Sequence, residues 1–291
     1  MTTRDGLITS EFDDAGTIEG LEGIDFSLDV DDPTTEDDEW DDAEEEEDDL
    51  LDVDLELVVL GLAGTTVEDD GLVERAFGIA AAAAGIGDTL EERDSALEYV
   101  RETMGQAKIA VFRALTTDED QAQHANAEFE SAYAALAEGD ELRPVAGADE
   151  LIHLLRASGV KVALTTSFSR TTTDAVLGAL GWEDIADITL TPAEAGRGRP
   201  YPDLPLTALL RTRATSVEGM VVVGDTASDI VSGIAAGAGL VVGVLTGAHD
   251  EETLLEAGAD VVIQSIADLP SLLGFEDAAG ETVHVAAVAG R

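Results

Sequence analysis

From residue 55 onward the chain repeats short apolar runs that stop at Gly, Thr or Gln, and this repetition narrows the folds open to it. The runs are 55–60 (LELVVL), 161–166 (KVALTT), 187–191 (DITLT), 220–223 (MVVV), 240–245 (LVVGVL) and 261–264. Continuous apolar stretches of this length suit strands buried on both faces. Helical patterns lie between them at 149–157, 170–180, 202–212 and 227–236, with Gly159, Gly181 and Gly237 at helix ends. Alternating strand and helix implies right-handed crossovers and an α/β fold built on a parallel sheet.

One interval breaks the alternation. Residues 72–140 read as helices at 72–84, 91–115 and 119–137. An insertion that leaves just after the first strand lies over the carboxyl ends of the strands, where open α/β sheets bind ligands, and so reads as a helical cap. The expected organisation is an acidic tail at 1–54, core at 55–71 and 141–275, a cap at 72–140 and a C-terminal tail at 276–291. No internal repeat at solenoid periods interrupts this pattern.

Charge excludes further classes. The 291 residues hold 63 Asp and Glu against 15 Lys and Arg, a net charge of -48, which argues against binding a nucleic-acid backbone. Residues 1–54 carry 24 of those acids and one Arg, too much like charge and too little apolar surface to order a chain, so the tail is expected to be disordered. Such a tail can serve as an arm for a basic partner; an inert, solvated tail is the plainer reading. The remaining acidity fits either a surface adapted to high salt or simple compositional bias. The absence of Cys excludes disulfides, thiolate zinc sites and a cysteine nucleophile. The acidic, polar start does not resemble a secretory signal, and no apolar stretch reaches the roughly 18 to 20 residues of a membrane helix, so a cytoplasmic protein without a membrane partner is expected.

Candidate chemistry falls at the strand ends. Asp225 and Asp229 follow the 220–223 run as GDTASD, four residues apart at a strand-to-helix corner. That spacing suits a hard divalent cation, one carboxylate ligating it and the other holding a metal-bound water; helix capping is the alternative. Thr165 and Thr166 end the second run, where hydroxyls and amides can hold a phosphate. Arg199, in GRGRPYPD, can neutralise a phosphoryl group, or form a surface ion pair.

In this order the pieces resemble the haloacid dehalogenase-like superfamily over roughly residues 55–275. The loop Gly61-Leu62-Ala63-Gly64-Thr65-Thr66 resembles the family's DxAGTT turn, Thr165 its second motif, Arg199 its third, and Asp225 with Asp229 its fourth. Ala63, the GRPYP of residues 198–202 and the Met104-Gly105-Gln106-Ala107-Lys108 segment are similar to the phosphonatase branch, the relatives of phosphonoacetaldehyde hydrolase. The resemblance implies a Rossmann-like core and Mg2+. It places the phosphate among Ala63, Gly64, Thr65, Thr165, Thr166 and Arg199, the metal at Asp225, Asp229 and the Ala63 backbone, and an imine-forming amine at Lys108. Lys108 is one of only two lysines, and burial under a cap can keep such an amine neutral; a snorkelling helix lysine is the bland reading.

Two departures stand out. Gly61 occupies the seat of the nucleophilic aspartate, and Ala110 and Val111 replace the DH pair of the phosphonatase branch. Asp69 and Asp70 lie eight and nine positions beyond Gly61, past the strand end, and are not taken as substitutes. The expectation is therefore a Mg2+-dependent phosphohydrolase scaffold for a small phosphonate or phosphate monoester, its activity weakened or lost through Gly61. The alternatives are a non-catalytic protein that binds a phosphometabolite or a partner, and a phosphoglycolate phosphatase-like phosphomonoesterase. His124, His153, His249 and His284 read as structural or surface residues, and Trp182 as packing.

Overall fold

The computed structural model describes residues 54–87, 89–139 and 142–275. The tail expected at 1–54, all but its last residue, and the tail at 276–291 lie outside the described residues.

Six strands form one parallel sheet: β1 (Leu57–Gly61), β2 (Lys161–Thr165), β3 (Ile188–Leu190), β4 (Met220–Gly224), β5 (Leu240–Val244) and β6 (Val261–Ile263), in the order β3-β2-β1-β4-β5-β6. The β1, β4 and β5 runs are apolar at nearly every position because side chains alternate between two covered faces. Val58, Leu60, Val162, Leu164, Val221 and Val223 face one core. Leu57, Val59, Ala163, Met220 and Val222 face the other.

Helices fill the intervals: α1 (Leu72–Ala84), α2 (Leu90–Glu102), α3 (Lys108–Leu115), α4 (Glu119–Gly139), α5 (Ala148–Ala157), α6 (Arg170–Leu180), α7 (Pro192–Ala195), α8 (Asp203–Thr212), α9 (Ala227–Ala236), α10 (Glu251–Glu256) and α11 (Leu269–Leu272). Leu204 and Ala208 of α8 pack with Ala236 of α9 against the second face. Trp182 is buried, as its packing role requires.

Helices α1 to α4 form the cap. The helix expected at 91–115 is two helices, α2 and α3, broken at residues 103–107. Gly105 takes a φ of +85°, outside the helical region, and a Cβ there would overlap the Thr226 hydroxyl. The break thus lets the cap backbone touch the start of α9, and propensity along the segment could not reveal a contact with a residue as distant in sequence as Thr226. The short helices α7, α10 and α11 follow no apolar periodicity long enough to read. Among the described residues no helix is long and apolar enough to cross a membrane.

Candidate active site

Strand order reverses at β1, which pairs with β2 on one side and β4 on the other, so the loops after these strands diverge and leave a crevice at their carboxyl ends. With the cap above it, the crevice encloses a cavity of about 510 Å³ lined by Gly61, Ala63, Asp69, Met104, Lys108, Thr166, Arg199, Asp225, Asp229 and His249, among others. Gly61 ends β1 opposite Thr165 of β2.

Arg199 is pinned from two sides. Its Nε lies 2.6 Å from Asp229 Oδ1, and its Nη2 donates to the Thr165 hydroxyl at 2.6 Å and to the Thr165 carbonyl at 3.1 Å. A guanidinium has five N–H donors, and these contacts engage Nε and Nη2. Thr165 donates in turn to the Leu60 carbonyl at 3.3 Å, so it stitches β1 to β2 and holds Arg199, and it does not line the cavity. Thr166 does line it, with its hydroxyl donated to the Gly61 carbonyl at 2.8 Å.

The acidic corner is equally built. Thr226 caps α9 and exchanges hydrogen bonds with Asp229 in a capping box, so the helix-cap reading of Asp229 holds alongside its ion pair. Asp225 accepts from the Thr65 hydroxyl at 2.8 Å and from the Ala248 amide at 3.0 Å. Gly64, at a φ of +81°, gives that carboxylate its room, because a Cβ there would overlap it. Gly64 and Thr65 therefore act behind Asp225 and do not face the cavity. Burial, reinforced by the charge of Asp229, pushes the Asp225 carboxyl up to about 7.

A family model for haloacid dehalogenase-like hydrolases matches residues 55–237. This chain belongs to that family. It is 30% identical over 262 residues to phosphonoacetaldehyde hydrolase of Bacteroides fragilis, a match covering 75% of this chain and 95% of the relative. Among solved structures, a hydrolase from Pseudomonas syringae superposes with a TM-score of 0.66 at 23% identity, covering 75% of this chain and 97% of the other. A phosphonoacetaldehyde hydrolase-like protein from Oleispira antarctica gives 0.65 at 24%, covering 75% and 91%. These two likenesses carry the fold, a Rossmann-like core with a helical cap.

Within this haloacid dehalogenase-like frame, the groups that could serve a cation as donors are the carboxylates of Asp225 and Asp229 and the backbone of Ala63, all lining the cavity. Among the described residues no group of three or more His, Cys, Asp or Glu could hold a metal ion. Mg2+ is commonly held by one or two carboxylates together with a substrate's phosphate oxygens. Two crowded carboxylates, one pushed toward its neutral form, fit such a shared cation.

Lys108 begins α3 with its side chain in the cavity, 7% exposed, its nitrogen 5.7 Å from the centre of the Phe129 ring. Burial holds its amine down at about 8, against the pull of Asp69. Two residues read as bystanders also line the cavity. Asp69 sits in the turn before α1, where Asp70 takes a φ of 43° and the chain folds back over the strand end. His249 accepts from the Ala227 amide through Nδ1 at 2.9 Å, which leaves the proton on Nε2 for the Arg101 carbonyl of the cap, 3.1 Å away. On the far side, Glu130 of α4 accepts from the Ser169 hydroxyl at 2.6 Å and from Thr172, tying the cap to the start of α6. The available signal for His249 was topological: it follows β5, whose loop opens on the same edge as that of β4.

Proposed function

We propose that this chain binds the phosphoryl or phosphono group of a small metabolite, together with Mg2+, beneath its cap, and that Gly61 leaves hydrolysis slow or absent. The observation that carries the reading is the meeting of Arg199, Lys108, Asp225 and Asp229 around Gly61 in one cavity, in a chain of net charge -48 where cations are scarce. The planar guanidinium of Arg199, which lines the cavity, suits phosphoryl oxygens. Asp225, Asp229 and the Ala63 carbonyl would hold Mg2+, which when bound draws charge from a phosphoryl oxygen. Lys108 suits the carbonyl or anionic end of the metabolite, and the similarity to phosphonoacetaldehyde hydrolase favours a phosphonate with a carbonyl group.

Position 61 favours binding over turnover. An attacking carboxylate would form the covalent intermediate of a two-step hydrolysis, and hydrogen cannot. A Cβ at Gly61 would lie 2.5 Å from Thr65 Oγ1 and 3.1 Å from Thr65 Cβ, so an aspartate needs that hydroxyl to rotate off Asp225 and the Thr65 side chain to give by a few tenths of an ångström. The test is phosphate release from acetyl phosphate and phosphonoacetaldehyde with and without Mg2+, beside the melting temperature with phosphate and Mg2+. The native chain is expected to gain stability from the pair of ions while releasing little phosphate, and Gly61→Asp to raise Mg2+-dependent release roughly 100-fold or more. No thermal shift in the native chain, with no release by a folded Gly61→Asp, would overturn the reading.

A further inference from the structure

A second cavity of about 700 Å³ lies among α3, α4 and the loop that carries Arg199. Lys108, Ser167, Phe168 and Arg199 line both it and the cavity already described, so the two spaces meet at a partition made by these residues. Their other charges differ in sign. The first cavity is lined by the carboxylates of Asp69, Asp70, Glu74, Asp225 and Asp229, and Arg101 is the one Arg or Lys there besides the two of the partition. The second adds Arg113 and Arg197 to those two, against Glu130 as its lone carboxylate. Glu130 is already engaged at the start of α6, where it accepts from the Ser169 amide and hydroxyl and from Thr172.

Arg113 and Arg197 are themselves paired, and the direction of the pairs matters. Arg113 donates to Glu119 at 2.6 and 2.9 Å, and Arg197 to Asp203 at 2.7 and 3.0 Å. In each pair the guanidinium lines the cavity and the carboxylate does not, so the positive end is turned to the space. Arg197 also lies 4.2 Å from the centre of the Tyr201 ring, which helps to hold it in place. Local charge decides the route because salt screens: at physiological ionic strength, exposed charges farther apart than about 8 Å interact little. The net charge of -48 therefore acts weakly on a distant anion, and the charges at each mouth decide which opening it takes. A cleft lined by one sign of charge raises the arrival rate of the opposite ion by about 10 to 1,000-fold.

We infer that the second cavity is a basic portal: a small anion is collected between Arg113 and Arg197 and passes the partition of Lys108 and Arg199, while the acidic mouth of the first cavity turns it away. Arg113 and Arg197 are steering residues. They set the rate of arrival and the preference for negative charge, and the hold on a bound ligand lies deeper. That the anion is a phosphate or phosphonate rests on the phosphoryl-binding reading above; the preference of this mouth for negative charge does not.

The chain has no Cys, so a single introduced thiol reports access. Full-length Ser167→Cys, on the partition, and Ser271→Cys, exposed and lining neither cavity, are each treated with a sulfonate-bearing and a trimethylammonium-bearing methanethiosulfonate, and the rates are divided by those of free cysteine. Ser271→Cys is expected to favour the cation, and Ser167→Cys to favour the anion by roughly 10-fold. Adding Arg113→Gln or Arg197→Gln should each cut that preference about threefold or more, and 1 M salt should flatten it. Arg113→Lys, which keeps the charge, should preserve it, as should Arg101→Gln at the other mouth. A cation preference at Ser167→Cys, no reaction there with either reagent, or a preference indifferent to both Gln variants overturns the inference; should Arg197→Gln not fold, Arg113→Gln decides alone. Melting temperatures with and without inorganic phosphate and Mg2+ separate the two readings. A sulfonate preference without a thermal shift keeps the portal and counts against phosphoryl binding, and a thermal shift without the preference overturns the portal alone.

Discussion

Arg199 and Asp229 form an ion pair sealed from solvent, Nε to Oδ1 at 2.6 Å, with side chains 8% and 4% exposed. It joins the loop between α7 and α8 to the first turn of α9. Burying two charges is costly, and further hydrogen bonds to the pair offset part of that cost. Thr226 occupies the second oxygen of Asp229, and Thr165 occupies Nη2 of Arg199. Removing one partner leaves the other charge buried and unopposed, so Asp229→Asn and Arg199→Met are each expected to cost about 3–5 kcal/mol. The double variant is expected to cost clearly less than their sum. Urea denaturation of the four proteins measures this, and strictly additive losses would mean the pair is not coupled.

Gly105 sets how closely the cap approaches the acidic corner. Its φ of +85° and the overlap a Cβ would make with the Thr226 hydroxyl penalise any side chain, and Ser228 Cβ stands 3.2 Å away. Gly105→Ala is expected to destabilise the protein by about 2 kcal/mol from backbone strain and crowding. It should also lift the cap enough to speed hydrogen exchange at the first-turn amides of α9. A variant that loses stability while those amides keep their protection would place the strain within the cap alone.

How far the sequence carried can be judged at Gly61 and Asp69. The six strands and the core helices were legible because each is a continuous apolar or periodic run whose covering is local in kind, if not in partner. Arg199, Asp225 and Lys108 were legible as motif residues at strand ends or on the cap, and they do line one cavity around Gly61. Thr65 and Thr165 were placed in the right loops but in another role: a hydroxyl at a strand end can face a ligand or brace a neighbour, and only three-dimensional packing decides which. Asp69, set aside in the sequence as lying past the strand end, and His249, read there as structural or surface, reach the cavity through turns whose direction depends on what packs beneath them, which linear spacing does not encode.

Lys108 should cost the fold stability at neutral pH. Its amine is held at about 8 by burial, against an ordinary value of 10.5. Between these values the unfolded chain binds a proton that the folded chain does not, so stability rises with pH across that window. Below about pH 8 the folded protein bears the cost of a buried ammonium, at most roughly 3 kcal/mol by the size of the shift. Lys108→Met keeps the volume and removes the charge, while Asp69 loses the cation facing it and is protonated the more readily. The variant is therefore expected to be more stable than the native chain by about 1–3 kcal/mol at pH 7, with the gap closing toward pH 10.5. Urea midpoints at pH 7 and pH 10 test this: a variant less stable at pH 7, or a gap indifferent to pH, would show that the amine is well solvated. A stabilising loss of Lys108 would mean that the chain retains this cation against its own stability, which is the mark of a residue kept for chemistry.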